Sequence, residues 1–288
     1  MKGGSIMDEQ NIDILERIHA SYYQLTATER RVADYVLAQP EQVKFMSITQ
    51  LADECGTADA TISRFCRSLK LKGFNAFKIE LARHSSAPAR QAAAENADTL
   101  AGRVREVGKQ SAAAIAQTME LVEPAQVERA VEMIEGASRV ICIGSGGSML
   151  LASTFAHLFS NVTGKFQAIT DSHMQISAVA TMGKKDIIVL FSYSGATNTG
   201  LQILELAKQR GIRSVLITRF NKSPAASLAD VVLRCGSNEG PFQFGSIPAK
   251  VAQLMVMDVL FQEYCHRNRE SCEENIENIA AALSDLHV

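Results

Sequence analysis

Two periodicities divide the chain. From Asn11 to His84 apolar residues recur every three or four positions: Ile14, Leu15, Ile18, Tyr22 and Leu25 in a first segment, Val32, Tyr35 and Val36 in a second. That spacing predicts helices with one buried face. Thr28 followed by Glu29 is expected to open the second helix and Pro40 to end it. Ser47 is expected to cap a short helix that carries Leu51 and Ala52 and closes at Gly56. A further helix follows from Asp59 to about Leu69, with Ile62, Phe65 and Leu69 inward.

From Val104 the pattern changes. A helix reaches about Val122, and another runs from Pro124 to Glu135. The segments 139–143, 166–169, 186–191, 215–218 and 231–233 then read as strands, separated by helical patterns over 147–162, 173–182, 197–210 and 245–267. Continuous apolar strands between amphipathic helices predict a parallel sheet covered on both faces. Residues 84–103, rich in alanine and poor in bulky apolar side chains, have the composition of a linker. The expected layout is a helical domain over 8–84, a linker over 85–103, connecting helices over 104–135, an α/β domain over 136–270 and a C-terminal helix over 271–288.

In the first domain, two short helices joined by Cys55-Gly56-Thr57 have helix-turn-helix form, and the small Ala52 lets them approach closely. The outer face of the second carries Thr57, Asp59, Ala60, Thr61, Ser63, Arg64 and Arg67, followed by Lys70 and Lys72. Short hydrogen-bonding side chains and arginines suit base edges and phosphates. Between Thr57 and His84 six Lys/Arg face only Asp59 and Glu80, a local basic excess where a duplex backbone would lie. The bland alternative is a solvated helix face.

In the second domain, ligands are expected at the carboxyl ends of the strands. There, Gly144-Ser145-Gly146-Gly147-Ser148 follows the first strand and Ser192-Tyr193-Ser194-Gly195-Ala196-Thr197 the third. Hydroxyls and glycines framing the amides of a first helical turn make a seat for an oxyanion, because unpaired N–H groups and the positive end of the helix dipole converge there. An ordinary Ser/Thr helix cap is the competing reading. Asp171-Ser172-His173 follows the second strand, where Asp171 reads equally as a sugar-hydroxyl contact or a helix cap. The glycine loop lacks G-x-G-x-x-G spacing and the chain has no Walker lysine, so a nucleotide-binding reading is weak.

Composition narrows the partners. The net charge of -2 confines any basic surface to one region, and the absence of Trp with 6% aromatic residues argues against single-strand base stacking. The six cysteines form no C-x-x-C pair; Cys66 and Cys142 read as small core residues. With a polar stretch over 1–11 and no apolar run long enough for a bilayer, a reducing cytoplasm is the expected setting. The histidines are scattered, so no metal or other cofactor is expected.

The residues resemble the RpiR-type bacterial transcriptional regulators, which join a helix-turn-helix domain to a sugar isomerase (SIS) domain. The similarity rests on the stretch from Leu25 through Tyr35, on Ala60 through Leu69, and on Lys72-Gly73-Phe74. In the second domain it rests on Gly144-x-Gly146-x-Ser148, Asp171-x-His173 and Ser192-x-Ser194-Gly195-x-Thr197. The resemblance implies an all-α helix-turn-helix domain joined to an α/β SIS domain, with Ser148, Ser192, Ser194 and Thr197 holding the phosphate of a phosphosugar. Gly146, Asp171, His173 and Gly195 complete the implied site. Where relatives often carry Ser-Arg before a Gln on the last long helix, this chain has Ala249-Lys250 before Gln253, which makes Lys250 a candidate effector contact.

The resulting expectation is a homodimeric or homotetrameric, cytoplasmic regulator that binds a double-stranded operator under control of a phosphosugar. The alternative is a phosphosugar isomerase whose helical domain only mediates assembly. Isomerisation needs a general base, for which His173 and Glu239 are the candidates; Ala196 stands where SIS enzymes often carry Glu.

Overall fold

The computed structural model describes residues 13–92, 99–237 and 246–284. The chain divides into two compact units, the first running to Arg105 and the second taking up at Glu106.

The first unit is helical: α1 (Ile14–Ser21), a 3-10 turn (Tyr22–Gln24), α2 (Ala27–Ala38), α3 (Pro40–Val43), α4 (Ile48–Glu54), α5 (Asp59–Ser68) and α6 (Phe74–Ala92). Ile14, Ile18, Val32, Val36, Leu51, Ile62, Phe65, Leu69, Phe77 and Leu81 form one buried cluster, the positions the three- and four-residue spacing marks. The cap of α2 is Thr26, not Thr28. Thr26 Oγ1 accepts the Glu29 N–H while Glu29 accepts the Thr26 N–H at 2.9 Å, the reciprocal box encoded by Thr-x-x-Glu. Thr28 lies inside the first turn. Ser47 and Gln50 build the same box for α4. Pro40 ends α2 and also begins α3, its missing N–H costing nothing at a first helical position.

Next come α7 (Leu100–Leu121), which begins before the division at Arg105, and α8 (Pro124–Glu135) in the second unit. The expected linker is thus helical at both ends, α6 reaching Ala92 and α7 starting at Leu100. Then come β1 (Val140–Gly144), α9 (Gly147–Ser160), β2 (Phe166–Ala168), α10 (Ser172–Thr181), β3 (Ile187–Phe191), α11 (Asn198–Arg210), β4 (Arg213–Thr218), β5 (Val231–Arg234), α12 (Ile247–Arg267) and α13 (Arg269–Leu283). The strands form one parallel sheet in the order β2-β1-β3-β4-β5. Alternate side chains enter different cores. Val140, Cys142, Val189, Phe191 and Val215 meet Phe155, Phe159 and Leu260 on one face, while Ile141, Ile143, Ile188, Leu190 and Leu216 meet Val179, Ile203 and Leu204 on the other. Helices on both faces leave only the sheet's ends open to chemistry.

At the amino-terminal edge Arg139 grips Asp186 through two nitrogens, at 2.7 and 3.3 Å. The Arg139 hydrogen bond, aided by the Gly183 N–H, holds the Asp186 carboxyl below its ordinary range against the burial that raises it. A depressed carboxylate adds stability that is complete above its unfolded pKa, near 3.9, and is lost as pH falls through the lower folded value. Asp186→Asn is therefore expected to lower Tm at neutral pH and to shrink the difference from the parent chain as pH drops below about 4; parallel melting curves at each pH check it.

Candidate functional site

Gly144 pairs with Phe191 in adjacent strands, so the segments after β1 and β3 leave the sheet side by side at its carboxyl edge. The first folds back tightly: a Cβ on Gly144 would stand 2.6 Å from the Ser148 carbonyl group. Gly146 has φ 56° and ψ -127°, a conformation only glycine adopts readily. In the second segment Gly195 has φ +61°, and a Cβ there would run into the Ser223 side chain, 2.7 Å from its Cβ.

This pairing makes the segment that carries Ser148 a neighbour of the one that carries Ser192, Ser194 and Thr197. Ser192 is buried, Ser148 half-buried, Ser194 and Thr197 exposed. Thr197 precedes α11 without a side-chain capping hydrogen bond, so the helix-cap reading does not account for its hydroxyl. Ser194 Oγ accepts the Ala196 N–H at 3.3 Å, tightening the turn. From the first turn of α12, Lys250 extends to the start of α9, its Cε 3.7 Å from where a Cβ on Gly147 would lie. Two hydroxyl-bearing helix starts and an ammonium group therefore border one edge.

The second-strand corner is different. Asp171 caps α10, its Oδ1 accepting the Met174 N–H at 2.8 Å, so its carboxylate is engaged in the helix start and the cap reading holds. His173 is exposed on the same turn. Glu239 lies outside the described residues. Sequence reasoning missed Gln175, buried on α10, whose Nε2 donates to the Gly144 carbonyl at 3.0 Å and the Ile169 carbonyl at 2.8 Å. It pins the ends of β1 and β2, and with them both loops that follow; a lone Gln on an apolar helix face was its only signal.

In the first unit, the turn between α4 and α5 is a Schellman motif. Gly56 is left-handed at φ +59°, with Gly56 N–H on the Asp53 carbonyl and Thr57 N–H on the Ala52 carbonyl. Of the expected outward residues, Ala60, Arg64, Arg67, Lys70 and Lys72 are exposed and Ser63 is half-buried. Three depart from expectation. Thr61 is buried, because it shares the inner face with Ile62, Phe65 and Cys66, and it accepts a hydrogen bond from Arg64 Nη2 at 3.0 Å. Asp59 accepts one from Thr49 Oγ1 at 2.8 Å, bracing α5 against α4. The Thr57 hydroxyl is buried. The outer surface of α5 thus reduces to Ala60, Ser63, Arg64 and Arg67, with Ala58 exposed beside them. Glu29 braces it from behind: burial opposes its ionisation most, but bonds from Thr26 and Ser68, with Arg64 nearby, still draw the carboxyl downward. Burial pushes the Cys66 thiol up to about 12 and that of Cys142 upward as well, as expected of core cysteines. No helix among the described residues is long and apolar enough to cross a membrane, and among them no group of three or more His, Cys, Asp or Glu could hold a metal ion.

A helix-turn-helix with an arginine-bearing face, followed by a parallel α/β unit with a hydroxyl-lined carboxyl edge, defines a ligand-responsive DNA-binding regulator. The pattern of the rpiR-family helix-turn-helix domain matches residues 12–88 and that of the SIS domain residues 133–262. The chain belongs to the RpiR family of transcriptional regulators. It is 28% identical to an HTH-type transcriptional regulator of Caldanaerobacter subterraneus, with 94% of this chain and 97% of that protein covered. The same values relate it to the HTH-type transcriptional regulator YbbH of Bacillus subtilis. The Vibrio vulnificus NanR protein, solved in complex with ManNAc-6P, superposes with a TM-score of 0.85 at 26% identity over 95% of this chain and 99% of that one. These relatives favour a regulator over an isomerase.

Proposed function

We propose that this chain is a cytoplasmic, homodimeric or homotetrameric regulator of sugar or amino-sugar metabolism whose SIS domain captures a phosphosugar and thereby alters operator binding. The observation that supports this reading is the Gly144–Phe191 pairing, which makes the segment carrying Ser148 a neighbour of the one carrying Ser192, Ser194 and Thr197, with Lys250 Cε near Gly147. A phosphate dianion would accept from these hydroxyls and from the amides of two helix starts. Gly146 and Gly195 would let the backbone approach it, and His173, exposed at the start of α10, is the proposed contact to the sugar. The ManNAc-6P bound by the Vibrio protein supports an amino-sugar phosphate as the first effector to try. Leu150 on α9 and Ile247 and Leu254 on α12 are exposed apolar residues, suited to a second copy of the chain. We take the domains as a helix-turn-helix domain over 8–84, a linker over 85–103, connecting helices over 104–135, the SIS domain over 136–270 and a C-terminal helix over 271–288.

The test has two arms. A thermal-shift screen of hexose, pentose and amino-sugar phosphates, ManNAc-6P included, is expected to raise Tm for at least one compound. Selection from a random duplex pool is expected to yield an operator. Ser192→Ala with Ser194→Ala should then cost at least about tenfold in effector affinity by calorimetry, since each hydrogen bond to a charged group contributes about 1.5–3 kcal/mol. Unchanged affinity in that variant would refute the phosphate assignment, and turnover of an aldose phosphate to a ketose phosphate would favour the isomerase.

A further inference from the structure

A continuous line of hydrogen bonds joins the anion corner to α7. Tyr193 stands between Ser192 and Ser194. Its carbonyl accepts from Thr218 Oγ1 at 3.0 Å and from the Arg219 N–H at 3.1 Å, and its Oη donates to the Ser237 carbonyl at 2.7 Å. That carbonyl takes a second bond from Arg219 Nε at 2.9 Å. One residue earlier, the Gly236 N–H donates to Thr118 Oγ1 at 2.9 Å, and Thr118 donates to the Ala114 carbonyl at 2.6 Å. Both Gly236 and Thr118 are buried.

Two features suit this line to carrying a displacement. A Cβ on Gly236 would meet the Gln117 side chain and stand 2.5 Å from the Thr118 nitrogen, so the strand's end lies against the helix backbone with no slack between them. Ser237 has φ 145°, a conformation non-glycine residues rarely adopt. It persists only where neighbours over-determine it, and such residues cluster at switch regions. The two bonds to its carbonyl are such constraints. The receiving helix spans the division of the chain: residues through Arg105 group with the DNA-binding unit and those from Glu106 with the SIS unit. Along α7 only Ala114 and Thr118 are buried and residues 103–110 are exposed, so the helix's own backbone hydrogen bonds carry a push at Thr118 toward its amino-terminal end.

We propose that Tyr193 is a positioning residue that passes effector occupancy from the Ser192–Ser194 corner through Ser237, Gly236 and Thr118 to α7, and so to the DNA-binding unit. When the two serines close on a dianion, the residue between them must move with them; the ring then draws on the Ser237 carbonyl. The relay rests on the phosphosugar-and-operator reading above.

Full-length wild type, Tyr193→Phe, Thr118→Val and Thr118→Ser are compared on the selected duplex, with ManNAc-6P as the probe and inorganic phosphate as the bare anion. In the wild type the sugar phosphate should change operator affinity by about 5–150-fold. Tyr193→Phe should keep probe affinity and probe-free operator affinity within about twofold of wild type, the scatter of uncoupled sites, while the change produced by the probe disappears. Thr118→Val should behave likewise, and Thr118→Ser, which retains the hydroxyl, should respond as wild type does. Hydrogen exchange gives a second readout: added anion should alter protection of the Gly236 amide and of residues 106–118 in wild type and not in Tyr193→Phe. A wild-type response in Tyr193→Phe overturns the relay alone, and so does loss of its probe affinity, which would make Tyr193 part of the pocket. A wild type that binds neither probe nor duplex removes the parent reading and the relay with it.

Discussion

Gly195→Ala is expected to unfold the effector corner and lower the stability of the SIS domain by about 2–5 kcal/mol. Two costs add. An L side chain at φ +61° strains the backbone by about 1–2 kcal/mol. The new Cβ also overlaps Ser223, and forcing extra atoms into a packed site typically costs about 1–3 kcal/mol. Ser223 cannot simply turn away. It is buried, donates to the Phe220 carbonyl at 3.2 Å and accepts the Ala226 N–H at 3.3 Å, and the neighbouring Ala225 N–H is bonded to the Gly195 carbonyl at 2.9 Å. At about 2–4 °C per kcal/mol for a domain of this size, calorimetry should resolve the drop, together with an effector affinity reduced at least tenfold or so. Adding Ser223→Gly should recover the part due to overlap and leave the backbone part. Gly147→Ala is the control: it is helical and its Cβ would meet only Lys250 Cε, at 3.7 Å, so Tm should hold. Wild-type stability and affinity in Gly195→Ala would mean that the loop does not have this geometry.

What the sequence made legible was whatever depends on near neighbours. The strand runs have a long apolar stretch and a helical period on either side, and they end within a few residues of expectation. The turn at Gly56 follows from a glycine between two short helices. The hydroxyls of both corners are dense enough to stand out, but their adjacency comes from the strand order, in which β1 lies between β2 and β3, and apolar runs do not encode that order. What stayed hidden depends on side-chain bonds that apolar spacing does not encode, some of them to partners far along the chain. Asp59 looks like a surface acid until Thr49 of another helix bonds it. Thr61 looks polar, yet its methyl fits the inner face and its hydroxyl is met by Arg64. Gln175 is explained only by two strand-end carbonyls, and Thr118 by Gly236 on a strand-end segment 118 residues later. Counting polarity around a helix assigns such residues to water; a bonded polar group can instead be buried at little cost.

Removing the two arginines of α5 is expected to have the larger effect on operator binding. Arg64 and Arg67 are exposed one turn apart; with Thr61 buried, the Thr57 hydroxyl buried and Asp59 bonded to Thr49, they are the exposed charged groups of that helix. A guanidinium on a guanine edge contributes about 1–3 kcal/mol of discrimination, and one on a phosphate lowers affinity evenly across sequences when lost. Arg64→Ala with Arg67→Ala should therefore weaken operator binding by about 30-fold to about 20,000-fold, while probe affinity in the SIS domain stays unchanged. Arg64→Lys separates the two roles. A lysine keeps the charge but not the planar fork, so a base-reading Arg64 would lose sequence preference in that variant, whereas a phosphate-gripping one would lose little. Anisotropy titrations at several salt concentrations supply the second axis, since each phosphate contact contributes a slope of about -0.9 in log K against log salt. The double variant should show a shallower slope than wild type wherever either arginine meets phosphate. Normal affinity, preference and slope in the double variant would remove α5 from the duplex and move the interface to the basic residues beyond it, Lys70, Lys72, Lys78 and Arg83.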